Sequence, residues 1–150
     1  ERAKALPLLF DRDPYASFGR PAALFAMGAK AGDPASASSA SQGGGSVRAI
    51  QTLKYVSEAF GLPIRDEFRK GDEAAMVRAI RGDSALDGKF VVVCWEHKML
   101  SDIAEALGVS PVPVYPGDHF DRAWLLFMDG NKVTAFRNLP ENLLPGDDEK

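Results

Sequence analysis

Phe90-Val91-Val92-Val93-Cys94-Trp95-Glu96-His97 is the stretch on which the fold turns. Asp87-Gly88 punctuates its start, and the all-apolar, largely β-branched run of residues 90–95 suits a central strand covered on both faces. His97 follows directly and begins a helix. Its stripe of Leu100, Ile103, Ala104 and Leu107 has helical spacing and stops at Gly108.

The pattern repeats toward the N-terminus. Asp72 reads as the cap of a helix carrying Met76, Val77 and Ile80. Ser46 reads as the N-cap of a longer helix, with Val47, Ile50, Leu53, Val56 and Phe60 on one face. Gly61 is placed to stop it, with Pro63 beyond. Residues 22–27, Ala-Ala-Leu-Phe-Ala-Met, read as a second buried strand ahead of Gly28. Between that strand and the Ser46 helix, residues 32–45 are rich in Ser, Ala and Gly. They bury little and read as a flexible loop, longer than most connections. At the start, Leu6, Leu9 and Phe10 form a short apolar stripe that Pro7 limits, and residues 11–20 read as loop.

Toward the C-terminus, residues 123–128 and 132–136 flank Asp129-Gly130-Asn131, a hairpin turn signal. Strands alternating with helices, then a late hairpin, predict an α/β fold with a mostly parallel sheet flanked by helices in three layers. Residues 1–150 read as a single domain without internal repeats.

Composition narrows the function classes. The chain is 45% hydrophobic and 26% charged, with a net charge of −3. It has no dense Lys/Arg stretch to meet nucleic acid. No uninterrupted apolar run approaches the roughly 20 residues of a membrane span. The single cysteine, Cys94, excludes an internal disulfide and reads as a small buried hydrophobe, which leaves the compartment open. The chain reads as soluble. Its opening, Glu1-Arg2-Ala3-Lys4-Ala5-Leu6, lacks an initiator Met and enters a helix already under way, the expectation for a processed mature or truncated form.

Two places combine a polar side chain with a position where open α/β sheets bind ligands, at the carboxyl ends of strands. In Ser46-Val47-Arg48, Arg48 falls in the first turn of a helix, where free N–H groups and the dipole favour an anion. A guanidinium there makes sense when an anion is shared, with a solvated surface arginine as the simpler reading. In Trp95-Glu96-His97, the imidazole of His97 can donate to a phosphate oxygen or move a proton, or can be structural. Glu96 either hydrogen-bonds His97 or a backbone N–H, or is solvated. His119, the second of two histidines, reads as a loop residue. Two isolated histidines and one cysteine form no metal-ligand cluster, and nothing in the sequence asks for a cofactor. Neither Gly-x-Gly-x-x-Gly nor Gly-x-x-x-x-Gly-Lys-Ser/Thr occurs. Gly43-Gly44-Gly45 follows low-complexity sequence rather than a strand.

Ser46-Val47-Arg48-Ala49-Ile50-Gln51-Thr52-Leu53 resembles the second-arginine helix of the histidine phosphatase superfamily, phosphoglycerate mutase-like. The stretch from Gly88 through Trp95-Glu96-His97-Lys98 is similar to the strand carrying that family's second histidine. The order and separation of the two segments fit as well. So do Ala106-Leu107-Gly108 and Phe120-Asp121-Arg122-Ala123-Trp124, and the resemblance covers roughly residues 1 to 145. It implies a four-residue phosphate pocket in which Arg48 is the second arginine and His97 the supporting histidine. A nucleophilic histidine and the first arginine come from an Arg-His-Gly strand. Attack on a phosphomonoester gives a phosphohistidine that water then cleaves.

Arg-His-Gly is absent from residues 1–150, and the expectation is that the strand bearing it precedes Glu1. The implied function is phosphomonoester hydrolysis if that motif is restored, with a phosphorylated small molecule or phosphate as partner. The alternative is an inactive fold of the same kind, a structural or interaction subunit of a larger assembly with protein partners. Glu67, Asp72 and Glu73 fall where part of the family carries its leaving-group acid, with Glu73 and Glu67 as the candidates. The simpler readings are a helix cap for Asp72 and surface charges for the two glutamates. Lys98 stands where acid-phosphatase-like members have aspartate, and a lysine at the rim attracts a phosphorylated ligand instead.

Overall fold

The computed structural model describes residues 2–28, 48–111, 122–129 and 132–141. The 32–45 loop, the Ser46 cap and His119 lie outside the described residues. The chain opens with a short helix, α1 (Arg2–Ala5), that tightens into a 3-10 helix at Leu6–Asp11. Pro7 takes one of that helix's first positions, where its missing N–H costs nothing. The expected stripe faces inward, with Leu6, Leu9 and Phe10 all buried. Part of the expected 11–20 loop is a 3-10 turn, Tyr15–Phe18, which buries Tyr15.

Three parallel strands form the sheet: β1 (Ala23–Ala26), β2 (Ile64–Arg65) and β3 (Val91–Cys94), in the order β2-β1-β3. Three helices connect or follow them: α2 (Arg48–Phe60), α3 (Glu73–Gly82) and α4 (Leu100–Leu107). The architecture is therefore mixed α/β, a small parallel sheet flanked by helices.

The centre of the sheet differs from the expectation. Among the described residues, β1 pairs on both edges while β3 pairs with β1 alone and its residues are half-buried. Leu24, Phe25 and Ala26 of β1 are 0% exposed. An all-apolar strand requires cover, and in β3 part of that cover comes from side-chain packing rather than a second ladder.

Part of the packing comes from the hairpin of β4 (Arg122–Asp129) and β5 (Lys132–Pro140), a separate antiparallel sheet with a bulge between Phe127 and Met128. Its face of Ala123, Leu125, Phe127 and Leu139 joins the core. Phe127 stacks edge-on against Phe18, which stacks against Phe90. The Glu141 charge bears on the Cys94 thiol at the other end of β3.

Local rules account for the helix ends. Gly61 and Gly108 adopt φ +65° and +102° beyond α2 and α4, the left-handed conformation that ends a helix. Asp72 is the N-cap residue of α3, and its carbonyl accepts the first helical bond from Met76. Asp72 thus holds the expected cap position, while its carboxylate makes no cap bond and accepts instead from the Arg69 N–H at 3.0 Å. Arg81 of α3 donates to the Ala106 and Leu107 carbonyls at 3.3 and 2.7 Å, tying α3 to the negative end of α4.

Candidate functional site at the carboxyl edge of the sheet

The connections between strands direct attention to the carboxyl ends of β1 and β3. From β1 the chain passes through α2 to β2, then crosses back through α3 to β3 on the other side of β1. Ala26 and Cys94 are register partners, and the Met27 N–H donates to the Cys94 carbonyl at 3.1 Å. The ends of β1 and β3 therefore lie side by side at the carboxyl edge of the sheet, where open α/β sheets place their ligands. On the β1/β2 side the edge is closed by backbone. The Gly28 N–H donates to the Phe68 carbonyl at 2.8 Å, and a Cβ at Gly28 would run into the Asp66 carbonyl.

Arg48 is the first described residue of α2 and is exposed. The first turn of α2 carries no acidic side chain, so the positive helix end and the guanidinium reinforce each other. One turn further on, Thr52 reaches the last residue of β3. Burial pushes the Cys94 thiol up to about 12, a hydrogen bond from Thr52 opposes the shift, and the Glu141 carboxylate adds to it. Glu141 in turn pairs with Arg2 at 3.3 Å. The Thr52 hydroxyl donates to the Arg48 carbonyl within α2 at 2.8 Å, and His97 emerges three residues beyond Cys94. Of the two residues singled out for phosphate, His97 follows the carboxyl end of β3, and Arg48 stands one turn before Thr52 on α2.

His97 is half-buried and opens a single 3-10 turn, His97–Met99, that leads into α4. The Met99 N–H closes that turn on the Glu96 carbonyl at 2.9 Å. Glu96 forms an ion pair with Lys70 at 3.3 Å, a partner the sequence did not suggest. Lys98 is exposed beside them.

The two candidate acids occupy different settings. Glu67 is exposed, and its ion pair with Arg65 at 2.6 Å holds its carboxyl below the usual range. Glu73 is only 6% exposed, so reading it as a surface charge is corrected. Its Oε2 accepts from the Gly71 N–H at 2.8 Å and from the Trp95 indole N–H at 3.1 Å. A signal for this bond was present in the sequence, since a buried tryptophan needs an acceptor for its N–H. Thr52 carried no such signal, because its role arises only when α2 lies on β3.

A shallow open hollow of about 260 Å³ lies at the opposite end of β3, lined by Phe18, Gly88, Lys89 and Phe90. Among the described residues, no three His, Cys, Asp or Glu side chains gather as a metal site, and no helix is long and apolar enough to cross a membrane. Compared with known proteins, the chain matches no family model, no curated protein and no solved structure significantly.

Proposed function

We propose that the crevice between β1 and β3 binds the phosphoryl group of a phosphomonoester, in a three-layer fold of the histidine phosphatase, phosphoglycerate mutase-like kind. The observation that carries the reading is the Ala26–Cys94 register at the point where the connections diverge. It brings the carboxyl ends of β1 and β3 together, and the His97 turn follows three residues beyond Cys94. Arg48 supplies a bidentate guanidinium beside a helix end with no acidic neighbour in its turn. His97 supplies a second donor at the end of the adjacent strand. Together they suit the equatorial oxygens of a phosphoryl group, where charge is held during transfer.

Residues 1–150 contain no Arg-His-Gly, so the role proposed for them is to hold phosphate. Hydrolysis through a phosphohistidine follows where that motif is supplied. The second reading is an inactive binding fold within a larger assembly. Calorimetry with inorganic phosphate and turnover of an aryl phosphate test the two together. Phosphate binding that is weakened about tenfold or more by Arg48→Ala and by His97→Ala supports the site. Measurable turnover selects the enzyme, and binding without turnover selects the inactive fold. Equal phosphate affinity in the wild type and both variants contradicts the site.

A further inference from the structure

Glu73 is the one charged side chain that the described residues bury, at 6% exposure. Burying a carboxylate is costly unless hydrogen bonds replace its water. Here they do, and two donors meet the same oxygen, Oε2: the Gly71 N–H at 2.8 Å and the Trp95 indole N–H at 3.1 Å. Trp95 is itself buried and stands two residues ahead of His97. The next residue, Glu96, is held by Lys70 from the same α3-side loop at 3.3 Å. Two side chains from residues 70–73 therefore grip two consecutive residues immediately before the His97 turn.

The backbone around this grip is also tied down. Arg69 donates to the Asp72 carboxylate at 3.0 Å, and Gly28 of the β1 end bridges to Arg69. The loop that carries Glu73 is thus anchored to the centre of the sheet. The buried carboxylate transmits that anchorage to the chain leaving β3. A group spent as acceptor for two N–H donors inside the fold is placed to hold geometry, not to deliver a proton to a leaving group in the crevice.

We propose that Glu73 is a positioning residue for the anion site: by fixing the Trp95 indole to the start of α3, it sets where His97 meets the bound phosphoryl group. The proposal rests on the phosphate reading above. It makes Glu73 a clamp and removes it from the candidates for a leaving-group acid.

The clamp has a specific signature, because one oxygen receives both donors. The amide oxygen of Glu73→Gln replaces Oε2, so this variant keeps the grip while losing any acid role. Glu73→Leu removes the acceptor, and Trp95→Phe removes the indole donor while keeping most of the ring. Inorganic phosphate binding is measured on the full chain by calorimetry, and amide hydrogen exchange is followed at residues 96–98. The expected result is a loss of affinity of about tenfold in Glu73→Leu and Trp95→Phe, with Glu73→Gln within about threefold of the wild type. Exchange at 96–98 rises in the first two variants relative to exchange within α2.

Arg81→Ala is the stability control, since it cuts bonds to the far end of α4. It lowers the melting temperature and leaves phosphate affinity unchanged. A tenfold loss in Glu73→Gln, or an equal loss in Arg81→Ala, overturns the clamp. If the wild type binds no phosphate, the phosphate reading fails by itself. Exchange at 96–98 then decides the clamp: a selective rise in Glu73→Leu sustains it, and no change overturns it.

Discussion

The two ends of β3 are held by different chemistry. At its amino end, Phe90 lies in a run of ring contacts: Phe60 on Phe10 at 5.5 Å, Phe10 on Phe90 at 5.8 Å, Phe90 on Phe18 at 5.4 Å and Phe18 on Phe127 at 5.5 Å. At its carboxyl end, Thr52, Glu73, Glu141 and the Lys70–Glu96 pair gather around Cys94, Trp95 and Glu96. Aromatic packing is tolerant of direction and resists unfolding, whereas hydrogen bonds fix orientation at smaller net stability. The open hollow is at the aromatic end, yet the convergent donors are at the polar end. The hollow beside Gly88, Lys89 and Phe90 and the proposed anion site therefore lie at opposite ends of β3.

Substitutions at the aromatic end should cost the most stability and leave anion binding intact. Phe10→Ala removes a buried ring that contacts both Phe60 and Phe90. A loss of about 3–5 kcal/mol is expected in urea unfolding, with phosphate affinity of the folded protein unchanged. An affinity loss would erase the distinction between the two ends.

Gly28→Ala comes next. The new methyl meets the Asp66 carbonyl where backbone closes the β1/β2 side of the edge. Overpacking against backbone is expected to cost about 1–3 kcal/mol, read in the same unfolding assay.

Cys94 gives a pH test of the polar end. Its thiol is pushed up to about 12 from an ordinary value of 9.0, so it stays protonated when folded while the unfolded chain ionises. The contribution is fully present below pH 9 and is lost as pH rises toward 12. By pH 10 the expected loss is on the order of 1 kcal/mol. Stability measured from pH 7 to 10 should fall less in Cys94→Ala than in the wild type, and equal slopes would sink this account of the thiol.

Glu67 gives the smallest effect. Its carboxyl is held below the usual range by Arg65, so the pair adds stability above the ordinary carboxylate range and loses it as pH falls through the lowered value. With both side chains largely in water, Glu67→Gln should cost less than about 0.5 kcal/mol at pH 7 and flatten the acid side of the stability profile slightly.

Much of this comparison was legible in the sequence, for a physical reason in each case. The periodicity of Leu53 and Val56 against Gly61, and of Ile103 and Ala104 against Gly108, located α2 and α4 because both signals are local. The Asp129-Gly130-Asn131 signal likewise located the β4–β5 hairpin. The centre of the sheet was not legible. An all-apolar run such as β3 reads the same whether ladders or side chains cover it, and the plainer Ala23–Ala26 strand holds the middle. Arg48 and His97 are proposed as site residues from their places at element ends. Glu73 was misread because its burial depends on the Trp95 indole lying 22 residues away in sequence, a pairing no local pattern encodes.

The most direct test of the anion site is an amide-resolved NMR titration of the full chain with inorganic phosphate at constant ionic strength. The account predicts saturable shifts confined to the first turn of α2 around Arg48 and to residues 96–98, abolished by Arg48→Ala. Shifts that cluster instead at Gly88, Lys89 and Phe90 beside the hollow, or no saturable shifts anywhere, would contradict it.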